Sequence, residues 1–158
     1  MRRSAVTSPA GYPLHPLLAG VAVGAFVSSL IFDILTRTRT NGLPYLVDAA
    51  WWLIEVGIIA ALIAAVPGVV DLLAIPRRTP AFAVAVRHLV LNAVSLVLFA
   101  IDFVWRADDH LDHDKTPWGQ LALSGAATAP LAAACWLGLS LTYRHGVGVR
   151  PRDEPQRT

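Results

Sequence analysis

Three of the chain's five histidines, His15, His88 and His145, lie in or beside long uncharged stretches, where imidazoles are uncommon. Two imidazoles on facing helices could ligate the iron of a b-type haem axially. With Asp71 nearby, His15 and His88 could instead hold a divalent metal, since imidazole and carboxylate suit zinc, iron or manganese. Histidines and carboxylates in series could also relay protons. The competing reading is structural. His15 would sit wet at a membrane interface, His88 would be a buried histidine bonded to Asn92 or Asp71, and His145 would be an ordinary residue between Arg144 and Gly146.

A second set is acidic. Asp33, Asp48, Asp102 and Arg106 fall toward the opposite ends of the same stretches. Asp102 and Arg106 are four apart, a spacing at which helical side chains pair, so a buried ion pair competes with a transport site. Glu55 stands alone, with nothing basic near it in sequence, and needs either a proton or a partner from another helix. The run 108–114 gathers carboxylates and two imidazoles. It could bind a divalent cation loosely, although a solvated acidic loop is the commoner explanation. Cys135 is the single cysteine, which excludes an internal disulfide and suits a small apolar residue. No Gly-rich phosphate loop, nucleophile elbow, CxxC or HExxH pattern occurs.

These residues must be positioned by helices long enough to cross a bilayer, about 20 mostly apolar residues each. Four stretches qualify, at about 14–35, 45–70, 81–105 and 118–143. Pro44, Pro80 and Pro117 stand just ahead of three of them, where a missing N–H is harmless. Pro67-Gly68 is expected to bend or end the second. At about 100° per residue, His88, Asn92, Ser95, Asp102 and Arg106 fall on one face of the third helix. His15, Ser29 and Asp33 share a face of the first. Such rows must face other helices or a wet cavity, because a charge in the hydrocarbon is costly. Gly20, Gly24 and Ser28 on the first helix, and Gly57, Ala61 and Ala65 on the second, are rows of small residues suited to close packing.

The whole chain agrees. It has 158 residues, of which 55% are hydrophobic and 15% charged, with a mean hydropathy of +0.54. A soluble domain would carry about 25% charged residues. The pI near 9.1 does not indicate nucleic acid, because the basic residues sit at membrane boundaries. The termini and the loop after the second helix hold nine of them, Arg2, Arg3, Arg77, Arg78, Arg87, Arg144, Arg150, Arg152 and Arg157. The other side holds four, Arg37, Arg39, Arg106 and Lys115. That imbalance places both termini in the cytoplasm. Arg2-Arg3 and the apolar run beyond could suggest a signal peptide, but no A-x-A-like site follows, so a retained helix is expected. No repeat period is visible. The expected fold is all-α, an integral membrane four-helix bundle running up-down-up-down. Residues 1–13 form a cytoplasmic segment, 14–145 the transmembrane domain and 146–158 a disordered tail.

The chain resembles a bacterial membrane-protein family catalogued as domain of unknown function 2231. The resemblance rests on Gly11-Tyr12-Pro13-Leu14-His15-Pro16 with Asp33, on Gly68 and Asp71, and on Arg87-His88 with Asn92. It rests also on Trp136-Leu137-Gly138 with Tyr143-Arg144-His145-Gly146-Val147-Gly148-Val149. Leu139 departs from it, standing where relatives commonly have a second glycine. The resemblance implies four helices, a shared His/Asp/Asn set and the bacterial inner membrane. Some relatives carry a Rieske-type iron–sulfur domain after the His-Gly-Val-Gly-Val ending, which implies a redox setting. Here such a partner would be a separate protein.

Together these point to a small multi-pass redox or cofactor-binding subunit rather than a stand-alone enzyme. Haem b or a divalent metal would be held by His15 and His88, with Asp71, Asn92 and His145 around them. A non-catalytic scaffold is one alternative. A proton- or cation-coupled transporter using Glu55, Asp33, Asp48, Asp102 and Arg106 is another. The lipid bilayer is the expected surrounding, and a homo-oligomer is allowed.

Overall fold

The computed structural model describes residues 14–147. The expected cytoplasmic segment, the Gly11-Tyr12-Pro13 opening, the Gly148-Val149 pair and the expected disordered tail beyond them lie outside the described residues. Four helices account for nearly all of the rest: α1 (Leu14–Thr38), α2 (Pro44–Leu73), α3 (Pro80–Arg106) and α4 (Trp118–Tyr143). Prolines open α2 and α3, and the Thr79 hydroxyl caps α3 by accepting from the Phe82 N–H at 3.2 Å. All four helices are long and apolar enough to cross a membrane. At about 1.5 Å per residue each exceeds the roughly 30 Å hydrocarbon layer. Their outer faces carry Leu17, Val66, Val104 and Trp136, each about 70% exposed. Water would not tolerate such a surface and lipid does, so the chain is a multi-pass membrane protein.

The helices pack as two hairpins. α1 lies extensively against α2 and α3 against α4, and the hairpins meet more sparingly along α2–α3 and α1–α4. Hydrogen bonds fix which ends meet. The starts of α1 and α3 lie beside the late turns of α2 and α4, where His15 bonds to Ala64 and His88 to Ala134. At the far end Asp33, Arg106 and Ser124 converge from α1, α3 and α4. Between the two ends lies an apolar layer. Phe26 and Phe99 stack with ring centroids 3.9 Å apart, surrounded by Ile54, Ala60, Ala127 and Leu131. Gly57 makes room for the stack, since a Cβ there would lie 2.5 Å from the Phe26 ring.

Two expectations are corrected. Pro67 does not end α2, which runs on to Leu73. A membrane helix can absorb a proline because neighbouring helices and local adjustment re-satisfy the freed carbonyl. Nor do Gly20 and Gly24 pack against another helix of the chain, since a side chain added at either would meet nothing within 4 Å. Only the second row delivers a close approach, at Gly57, where a bulky aromatic on the facing helix needs the space.

The connections are tied down as well. Gly42 has a positive φ of 69°, and a Cβ there would clash with Asp114 at 2.7 Å. The adjacent Leu43 N–H donates to the Asp114 carbonyl at 2.7 Å, joining the α1–α2 and α3–α4 loops. At the histidine end a small cluster of Ile75, Ala81 and Ala85 packs with Leu72, Leu141 and Val147 and closes the bundle.

Candidate functional site

The polar interior divides into two centres separated by the Phe26–Phe99 layer. The outer one is built around Arg106, whose side chain is fully buried. Its NH1 and NH2 groups donate to the two oxygens of Asp33 at 2.8 and 2.9 Å, the paired geometry a planar guanidinium favours. Nε and NH2 donate to the two oxygens of Asp102 at 3.0 and 2.9 Å. The Ser124 hydroxyl sits 2.8 Å from NH2, 2.9 Å from Asp33 Oδ2 and 2.8 Å from Asp102 Oδ2. Thr116 donates to Asp33 Oδ1 at 2.9 Å, and Thr36 accepts from the Thr116 N–H at 3.1 Å. All six side chains are buried. Each carboxylate oxygen has a donor, so the cluster ties α1, α3, α4 and the loop before α4 into one unit. One turn inward, the buried Ser29 hydroxyl has no hydrogen-bond partner among the described residues.

The inner centre is the histidine pair. His15 of α1 and His88 of α3 meet edge to face, with centroids 6.1 Å apart and planes at 85°. His15 Nδ1 lies 2.8 Å from the Ala64 carbonyl and His88 Nδ1 lies 2.7 Å from the Ala134 carbonyl. A carbonyl only accepts, so each Nδ1 carries a proton, and at His88 the Asn92 amide leaves Nε2 as the acceptor. Asn92 donates to His88 Nε2 at 3.1 Å and to the His88 carbonyl at 2.8 Å. Gly68 and Gly138 form the walls behind the rings. A Cβ at Gly68 would lie 2.8 Å from His15 Nδ1, and one at Gly138 would lie 3.1 Å from His88 Cε1. The glycines let the α2 and α4 backbones approach closely enough to supply the carbonyls.

Thus the structure brings together His15, His88 and Asn92 at one end, and Asp33, Asp102 and Arg106 at the other. It does not gather the rest. Asp71 and His145 are half-buried near the histidine end. Among the described residues, however, no group of three or more His, Cys, Asp or Glu side chains is placed to hold a metal ion. Asp71 therefore does not complete a three-ligand set with the two imidazoles. Asp48 stays out of the Arg106 cluster, with its Oδ1 3.6 Å from His110 Nε2. Glu55 is half-buried and makes no hydrogen bond or ion pair with a described residue. It does not belong to the buried face of α2, which is wholly apolar from Val47 through Ile54 and Ala60 to Pro67.

The loop 108–114 is more ordered than a freely solvated acidic run. His110 stacks on Trp51 at 4.2 Å, and Asp109 pairs with His113 at 3.1 Å and accepts from Gln120 at 3.2 Å. Sequence reasoning missed Ser124, Thr116 and Thr36, ordinary hydroxyls whose spacing signals nothing. It also missed the carbonyls of Ala64 and Ala134, which no side-chain pattern can announce.

Comparison with known proteins places the chain. A family profile described as predicted membrane protein, DUF2231, matches residues 11–151. No curated protein and no solved structure matches it.

Proposed function

We propose that this chain, which belongs to the DUF2231 family of membrane proteins, is a small cofactor-holding subunit that binds one transition-metal ion between His15 and His88. One observation carries the reading: two imidazoles from different helices, each oriented by an Nδ1–H bond to a backbone carbonyl, lie 6.1 Å apart. Metal-ligating histidines are held in just this manner, with the second nitrogen donating to a carbonyl or carboxylate. With metal–nitrogen bonds of about 2.0–2.1 Å, two imidazoles sharing one ion have centroids roughly 6 Å apart. Asn92, which donates to His88 Nε2, would swing aside, and exogenous ligands would complete the shell. The same spacing suits the iron of haem b. Its macrocycle, however, would have to part the two hairpins along their seams, so the packing favours a bare ion. Iron or copper there would give the subunit a redox role, in which a Rieske-type protein is a fitting electron partner, and zinc would give it a structural one. By the basic-residue imbalance the site faces the cytoplasm.

Metal analysis and absorbance of the detergent-purified protein test this, after expression with iron, copper, zinc and haem precursor supplied. The expected result is about one ion per chain, lost in both His15→Ala and His88→Ala. Finding neither an ion nor a Soret band overturns it. A purely architectural role is the second reading, favoured by the complete hydrogen bonding of His88 without any ion. In that case both substitutions change stability alone.

A further inference from the structure

We infer that the chain is two copies of one helical hairpin, related by an approximate two-fold axis along the bundle, and that Gly68 and Gly138 are equivalent positioning residues for the two imidazoles. The inner rows of α1 and α3 correspond at one constant offset in sequence: His15 with His88, Ala22 with Ser95, Phe26 with Phe99, Ser29 with Asp102, and Asp33 with Arg106. Each pair shares its burial: the histidines are half-buried and the other pairs buried. α2 and α4 correspond at a second constant offset, which pairs Ala50 with Gln120, Ile54 with Ser124, Ala64 with Ala134, and Gly68 with Gly138.

The contacts repeat along with the positions. Ala64 accepts from His15 as Ala134 accepts from His88, at 2.8 and 2.7 Å. Gly68 backs the first ring as Gly138 backs the second. The within-hairpin contacts α1–α2 and α3–α4 are the extensive ones, and the two seams α2–α3 and α1–α4 are similar to each other. Three like or paired contacts then link α1 to α3 across the axis: His15 with His88, Phe26 with Phe99, and Asp33 with Arg106. Because the hairpins run the same way through the membrane, this is a parallel repeat rather than an inverted one. Its outer end has diverged into a charge pair, which two identical halves could not form.

For the histidine end, equivalence means that the two rings are held by the same device. Each glycine admits a backbone carbonyl to one Nδ1, which fixes the tautomer and aims Nε2. That this serves an ion rests on the reading above; the equivalence itself does not.

Histidine-selective 15N NMR of the full-length, metal-free protein in detergent tests it. Both rings should appear as Nδ1–H tautomers. Gly68→Ala should shift the His15 signals and leave His88 in place, and Gly138→Ala should do the reverse. Rings with different tautomers, or a Gly138→Ala variant that leaves the His88 signals unmoved, would overturn the equivalence. If either variant does not fold, exchange across the axis decides. Asp33→Arg combined with Arg106→Asp should recover thermal stability lost in Asp33→Arg alone, and a double variant no more stable than the single overturns the repeat. Zinc titration of the same samples reports separately on the ion. Symmetric NMR responses without zinc binding would refute the ion and leave the equivalence standing.

Discussion

Arg106 is the residue on which the outer end depends. Removing the guanidinium leaves two buried carboxyls, Asp33 and Asp102, facing each other with only hydroxyls for partners. Breaking a buried pair in this way costs roughly 3–5 kcal/mol, whereas replacing all partners by apolar groups of like size is often neutral. Arg106→Met should therefore lower stability by about that amount in a denaturant titration in detergent micelles. Adding Asp33→Leu and Asp102→Leu should recover most of the loss. At the inner end, Asn92→Ala removes the donor that occupies His88 Nε2. If an ion binds there, its affinity should rise roughly fivefold, the equivalent of one hydrogen bond of about 1 kcal/mol, as read by isothermal titration with zinc. The pairing of Asp102 with Arg106 was legible from their spacing of four. That Asp33 would share the guanidinium was not, because the two segments are joined only through a three-dimensional crossing that the spacing within one helix cannot encode.

For the elements, the close approach of α1 and α2 depends on missing side chains, at Gly57 in the apolar layer and at Gly68 beside His15. Gly57 lies against Phe26, and a methyl there would meet ring carbons at 2.5 Å. Gly57→Val should destabilise by about 1–3 kcal/mol, the usual cost of overpacking. Combining it with Phe26→Leu should recover part of the loss, and the coupling can be measured by a double-mutant cycle. The lengths and apolar character of the helices were plain in the sequence, since only helices satisfy their own backbone in lipid. Their faces were only partly plain. The polar rows on α1 and α3 identified the inner faces correctly, because charge cannot face lipid. The small-residue rows did not discriminate: Gly20 and Gly24 resemble a packing motif as much as Gly57 does. What separates them is whether a bulky partner stands opposite.

At the scale of the whole molecule, two polar centres are held apart by an aromatic layer. Phe26 and Phe99 with Ile54 and Leu131 fill the middle of the bundle between the two polar centres. The excess of basic residues at the histidine end predicts a cytoplasmic orientation for that end, which labelling tests. In a Cys135→Ala background, Arg77→Cys should react with a membrane-impermeant maleimide only after the cytoplasmic face is opened. Asp112→Cys should react in intact cells or spheroplasts. Both positions are exposed, and the reverse pattern would invert the assignment.

By itself the sequence determined the class of the molecule and the composition of its interior. Hydropathy over four long runs dictates spanning helices, and the cost of charge in hydrocarbon dictates which faces turn inward. The tertiary structure alone decided how the inward residues combine. Arg106 gathers Asp33 as well as Asp102, while Glu55 and Asp48 are left aside. The two histidines meet as a pair held by Ala64 and Ala134. The likeness of the two hairpins also emerged only there. It resides in inward positions scattered one per turn, and the lipid-facing residues between them need only be apolar, so the linear sequence dilutes a repeat that the packed interior preserves.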